Sequence, residues 1–203
     1  LVISKEGLAQ SESSESFTGI EEIIVTARKK EEPLQETPVT ITALTDAKIQ
    51  KLYATDLKDL GMSVPNLLIN TNASGSFTNS AAVFMRGIGN SDIDSTIDPP
   101  IGIFLDGVYV PRSSNSNLDL FDVEQVEVLR GPQGTLFGRN TTAGAIVVRS
   151  KRPTGEFGAK ARLTMGDYGR RDLRVAVEAP LSDTVNAKIS VLQQKSDGFY
   201  KAR

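Results

Sequence analysis

From residue 157 onward, apolar and polar side chains alternate. Phe157, Ala159, Ala161, Leu163 and Met165 are interleaved with Gly158, Lys160, Arg162 and Thr164. The pattern breaks at Gly166-Asp167-Tyr168-Gly169. It resumes with Leu173, Val175, Val177 and Ala179 set against Asp172, Arg174 and Glu178. After Pro180 to Asp183 it resumes again, with Val185, Ala187, Ile189 and Val191 set against Asn186, Lys188 and Ser190. Period two over segments of about ten residues predicts antiparallel strands joined by short turns. Two architectures fit. A soluble sandwich would bury the apolar side, whereas a membrane barrel would turn it to lipid and the charged side to the lumen. Strand length and the charged polar side favour the barrel.

Residues 36–150 are patterned differently. Pro38 precedes Val39 to Ala43, a predicted strand, and Thr45 is placed to cap a helix running to about Tyr53, with Asp46 in its first turn. Thr55 is expected to cap a second short helix, Asp56 to Leu60, which Gly61 would stop. Strands are predicted at 67–71, 82–86, 123–130 and 144–150. Ile101 to Leu105 and Val108 to Val110 flank Asp106-Gly107, the signal for a two-residue hairpin. In the strand at 123–130, Val126 and Val128 face one way and Glu127 and Leu129 the other. The loop from Gly87 to Pro100 is polar and long enough to suspect binding.

Residues 1–35 read as a mobile leader, because the Ser/Glu run from Ser11 to Ser16 cannot bury enough surface to offset its ordering entropy. One stretch inside it differs. Ile23, Ile24, Val25 and Thr26 are consecutive β-branched residues, which favour an extended chain. No hairpin partner is evident nearby. The stretch reads either as an edge strand of the next domain or as a peptide that adds itself to another protein's sheet.

Composition narrows the chemistry. A net charge of −2 over 203 residues leaves no basic footprint for nucleic acid. The sequence has no Cys and no His, which removes disulfides, thiolate metal sites and the commonest general base. No apolar run is long enough for a transmembrane helix, although barrel strands need only about 9–11 residues. The glycine-rich stretch LRGPQGTLFGRNTTAGAIVVRS, residues 129–150, fails as a phosphate loop: Gly134 and Gly138 lie too close together and Arg139-Asn140 follows in place of Lys-Ser. Gly87-Ile88-Gly89 begins a dinucleotide fingerprint, but Asp92 stands where the last Gly belongs. Asp92, Asp94 and Asp98 fit no standard cation loop. No catalytic motif, cofactor or metal site is expected, and the chain is not read as an enzyme.

The order of several motifs is more specific. Ile23-Ile24-Val25-Thr26-Ala27, Glu36-Thr37-Pro38-Val39-Thr40, Phe84-Met85-Arg86-Gly87, Phe104-Leu105-Asp106-Gly107-Val108, Val126 to Gly138 and Ala143-Gly144-Ala145-Ile146 together resemble the TonB-dependent outer-membrane receptors over residues 20–200. The resemblance implies an α+β plug domain, a mixed sheet with short helices, followed by antiparallel strands of an incomplete transmembrane β-barrel. It implies a leader at 1–33, a plug at 34–152 and the first three barrel strands at 153–203. Glu22, Ile23, Ile24, Val25, Thr26 and Ala27 resemble the TonB box, which pairs with the C-terminal domain of the periplasmic TonB protein. Arg86 and Arg130 match plug arginines that face barrel carboxylates. Asn90, Ser91, Asp92, Asp94 and Asp98 correspond to a ligand-facing plug loop.

The implied function is energised uptake of a scarce nutrient, a ferric siderophore first among them. The implied location is the outer membrane of a Gram-negative bacterium, with lipid around the barrel and with plug and leader open to the periplasm. The chain begins at Leu1, not Met, and runs out after three alternating segments, so it is expected to be a piece of a longer receptor. Three open strands would leave edges that lipid cannot satisfy. The leader is short for the extra signalling domain some family members carry. The competing reading is a soluble periplasmic ligand-binding module without transport activity.

Overall fold

The computed structural model describes residues 23–26, 29–71, 80–91, 96–111, 116–182 and 184–197. The central element is a five-stranded mixed sheet in the order β3-β9-β10-β7-β8. Its strands are β3 (Ile41–Thr45), β7 (Ile101–Leu105), β8 (Val108–Val110), β9 (Val123–Arg130) and β10 (Gly144–Ser150). Only the β10–β7 pair is parallel. Helices α1 (Asp46–Lys51) and α2 (Leu57–Leu60) and the meander of β4 (Leu67–Asn70), β5 (Ala82–Met85) and β6 (Ile88–Gly89) belong to the same domain.

The period-two pattern of the buried strands decides which residues meet on each face of the sheet. On one face, Leu44, Ile103, Val126, Val128, Ile146 and Val148 pack with Ile49 of α1, Leu57 and Leu60 of α2, and Met85 of β5 in the main core. Burying each such side chain contributes about 1.5–3 kcal/mol. On the other face, Leu129, Phe104, Ala145 and Val147 form a smaller cluster, with Ile41, Tyr109 and Phe137 packed against it. Strands 123–130 and 144–150 form over the predicted ranges. So does the Asp106-Gly107 hairpin, where φ values of 49° and 83° put both turn residues in the left-handed region the turn requires.

Several boundaries differ from expectation. The first strand starts at Ile41, two residues late, and α1 ends at Lys51. Thr45 does occupy the α1 N-cap position, without a side-chain cap bond. The α2 cap is Asp56, not Thr55. Thr55 instead donates from its N–H and hydroxyl to Asp59 Oδ2, at 2.8 and 3.0 Å, and the Asp56 N–H donates to the same oxygen at 3.3 Å. A carboxylate three residues into a helix satisfies orphan N–H groups better than a lone hydroxyl. The glycine-rich stretch forms turns around a short helix, α3 (Gly134–Phe137). Gly131 there has φ +112°.

The C-terminal strands β11 (Gly158–Gly166), β12 (Arg170–Ser182) and β13 (Val185–Lys195) form a separate antiparallel sheet. Its faces answer the question left by the sequence. Leu163, Met165, Leu173, Ile189 and Val191 are exposed, while Asp172, Arg174 and Ala176, of the opposite parity in β12, are buried. A soluble sandwich would reverse this arrangement. No helix among the described residues is long and apolar enough to cross a membrane.

Candidate functional site

The β-branched stretch is not isolated. β1 (Ile24–Val25) pairs antiparallel with β2 (Glu32–Pro33), and the Leu34 N–H donates to the Ile23 carbonyl at 2.9 Å. The expectation of a strand without a hairpin partner is thereby corrected. Within the expected TonB box, Glu22 and Ala27 lie outside the described residues, and Ile23 to Thr26 lie inside.

This short hairpin is held on the sheet by two side chains of β9. Glu127 Oε1 accepts from the Thr26 N–H at 2.8 Å and from the Thr26 hydroxyl at 3.1 Å. The Gln125 amide donates to the Ile24 carbonyl at 3.1 Å and to Glu127 Oε1 at 3.2 Å. Val25 and Glu127 are both fully buried, while Ile24 is 40% exposed. The second Glu127 oxygen, Oε2, has no hydrogen-bond partner among the described residues. Burial pushes the Glu127 carboxyl above its ordinary value, and the Thr26 hydrogen bonds and the Arg149 charge only partly pull it back. The sequence placed Glu127 and Leu129 on the same face. What it missed is that a carboxylate between Val126 and Val128 is buried, and therefore needs donors.

Arg86 reaches the residue next to Arg130 although 44 positions separate the two arginines in sequence. Arg86 follows β5 with φ 53°, and its N–H donates to the Asn66 carbonyl at 2.9 Å. Its guanidinium reaches Gly131, whose Cβ position would lie 3.6 Å from Arg86 Nη1. Arg130 donates to Thr42 Oγ1 at 3.0 Å and to the Pro65 carbonyl at 3.3 Å, and its buried Nε has no partner among the described residues. Among the described residues no carboxylate forms an ion pair with either arginine.

In the polar loop, Asp92 and Asp94 lie outside the described residues. Ser91 and Asp98 are exposed. Asn90 lines a small cavity of about 20 Å³ with Ala81, Pro100 and Ser116. A roomier cavity of about 540 Å³ opens elsewhere, between the mixed sheet and the C-terminal strands, beside Asp119, Asp122, Arg174 and Lys188. Among the described residues no acidic cluster is placed to hold a metal ion.

Residues 33–145 match the family model of the TonB-dependent Receptor Plug Domain. Over 165 residues the chain is 30% identical to the catecholate siderophore receptor Fiu of Escherichia coli K12, a match that covers 81% of this chain and 20% of that protein. It is 24% identical over 177 residues to the vitamin B12 transporter BtuB of Vibrio vulnificus, covering 87% and 28% respectively. The crystal structure of the ferric yersiniabactin uptake receptor FyuA from Yersinia pestis superposes with a TM-score of 0.67 at 25% identity, over 77% of this chain and 24% of that one. The chain thus spans between 20% and 28% of the length of these relatives.

Proposed function

The chain belongs to the TonB-dependent receptors, and on that premise we propose that it supplies the plug and opening barrel strands of an outer-membrane receptor that imports a ferric siderophore by an energised route. Residues 22–27 are its TonB box, Arg86 and Arg130 face carboxylates of the barrel, and the loop from Asn90 to Asp98 faces the ligand. The siderophore assignment draws on Fiu and FyuA, named for catecholate siderophores and ferric yersiniabactin.

The observation that carries this reading is the β1 hairpin. Among the described residues, a β-branched strand is stowed on the plug by a two-residue ladder, one buried side chain, Val25, and a few side-chain hydrogen bonds. It can therefore exchange that pairing for a strand of another protein. Between Thr26 and Pro38 lie a dozen steps of chain, which extended reach roughly 40 Å. A partner beneath the membrane can therefore grip the strand and transmit force to the plug. Arg130 supports the plug–barrel contact, because its buried Nε finds no partner among the described residues and calls for an acceptor beyond them.

Ile24→Pro in the complete receptor tests the reading. Proline cannot donate to a strand ladder. Uptake of ferric siderophore is expected to be lost while its binding to cells is retained. Unimpaired uptake overturns the proposal.

A further inference from the structure

A short acidic-aromatic segment of the plug meets all three barrel strands, beside a further contact from Lys188 to the Lys151 carbonyl at 3.2 Å, and this segment is tied backward to the start of α2. Asp119 Oδ2 accepts from Nε of Arg174, a β12 residue only 1% exposed, at 2.8 Å. Asp122 pairs with Lys188 of β13 at 2.6 Å and accepts from the Ser190 hydroxyl at 2.6 Å. Between them, Phe121 lies under the Lys160 ammonium at 4.9 Å and the Arg162 guanidinium at 5.6 Å, both on β11. Lys160 also donates to the Phe121 carbonyl at 3.4 Å. All three wall strands thus grasp residues 119–122. On its other side the segment is stitched to α2. The Leu57 N–H donates to the Leu118 carbonyl, and the Leu120 N–H to the Thr55 carbonyl, each at 3.0 Å. Asp56 and Asp119 form a β-bridge, and the Lys58 N–H donates to Asn117 Oδ1 at 3.1 Å.

The chain before Thr55 is held differently. Among the described residues β3 is an edge strand, paired with β9 alone, so it can leave without breaking any other described strand pair. β9, β10 and β7 are each paired on both sides. Following the chain from Thr26, a pull meets the Glu127 contact, then β3, then α1, whose Asp46 carries a single ion pair to Lys151, and then residues 55–58, which are fastened by several bonds through 117–120 to the wall.

We propose that residues 117–122, clamped by Lys160, Arg162, Arg174, Lys188 and Ser190, are the fixed anchor of the plug, and that a pull on the N-terminal strand extracts the chain only as far as the Asp56–Asp119 bridge. The inference rests on the reading that residues 22–27 are pulled. It divides the plug into a part that leaves, residues 26–54, and a part that stays. The part that leaves comprises 28 steps of chain, roughly 90–100 Å when extended. Leu44 and Ile49, both buried in the core, go with it. Leu120 and Val123, equally buried, remain.

None of the 203 residues is a cysteine, so no native thiol in this stretch competes with one introduced there. In the complete receptor, Leu44→Cys and Leu120→Cys are exposed to a membrane-impermeant maleimide in cells, with and without ferric siderophore and with TonB present or deleted. Leu44→Cys is expected to label about tenfold faster only when cargo and TonB are both present, while Leu120→Cys stays protected. Adding Asp122→Asn to Leu120→Cys is expected to open that site during transport. Equal labelling of both cysteines means the plug leaves whole, and protection of both during measured uptake means β3 never leaves. Either result overturns the proposal. Ile49→Cys and Val123→Cys replace either probe that fails to assemble. Uptake that persists with Ile24→Pro would instead sink the function on which the inference stands, so the two failures are distinguishable.

Discussion

Glu127 holds Thr26 twice through a single oxygen, accepting both its backbone N–H and its hydroxyl, while its other oxygen is buried without a partner among the described residues. The contact spans 101 residues of sequence and is the main polar tie between the N-terminal strand and the sheet. Glu127→Ala leaves the Thr26 N–H without its acceptor, and an orphaned buried donor costs about 1–3 kcal/mol. The docked strand should therefore open roughly fivefold to 150-fold more often. A nitroxide carried on Ile24→Cys reports the mobile fraction. Thr26→Val removes only the hydroxyl bond and should have the smaller effect.

The same carboxylate makes docking depend on pH. With the strand docked, burial holds Glu127 above its ordinary value of 4.5. Once the strand leaves, the group faces water and returns toward that value. Between the two, the docked form binds more protons than the released form. Docking is therefore strongest below about 4.5 and weakens as pH rises through the raised value. The orphan Oε2 can carry the proton while Oε1 continues to accept from Thr26. Glu127→Gln mimics that neutral form. It should keep the nitroxide immobile across the range and flatten the pH profile, whereas a profile unchanged from the parent would assign the titration to another group.

Much of this arrangement was legible in the residues. Alternation located β9, β10 and the three wall strands, and Asp106-Gly107 located a hairpin, because each signal is local. The inward set of the wall was also readable, since Asp172 and Arg174 share a parity opposite to Leu173. The β1–β2 pair was not, because a two-residue ladder that includes Pro33 has no periodic signature. The tie from Glu127 to Thr26 and the tie from Arg174 to Asp119 join residues 101 and 55 positions apart, so no local pattern names the partner. The signals that could have raised them were the chemical anomalies: a carboxylate inside an apolar strand and an arginine on a strand face that packs against the plug.

Arg174 should be among the most sensitive positions of the wall. Its side chain is 1% exposed, and it lies between Asp119 of the plug and Asp172 of its own strand. Removing one partner of a buried pair costs about 3–5 kcal/mol, because the other charge is left without compensation. Arg174→Met should lower the thermal transition of the plug in calorimetry of the complete receptor. Adding Asp119→Asn should recover part of the loss, so that the double variant falls short of the sum of the two single ones. Strict additivity would mean the two side chains do not interact.

Gly131 and Gly134 lie three residues apart in the same motif and should respond oppositely to alanine. Gly131 has φ +112°, outside the left-handed region that other residues tolerate, and an added methyl would also lie against Arg86 Nη1 at 3.6 Å. Holding a non-glycine residue there costs about 1–3 kcal/mol. Gly134 opens α3, and a methyl placed on it meets nothing within 4 Å. Alanine at that position lowers the entropy of the unfolded chain and should stabilise by about 0.4–1 kcal/mol. Calorimetry of the plug transition should therefore show Gly131→Ala melting below the parent and Gly134→Ala at or above it. Equal losses at the two sites would mean that the motif's glycines serve close approach to the barrel and not the turn geometry of the plug itself.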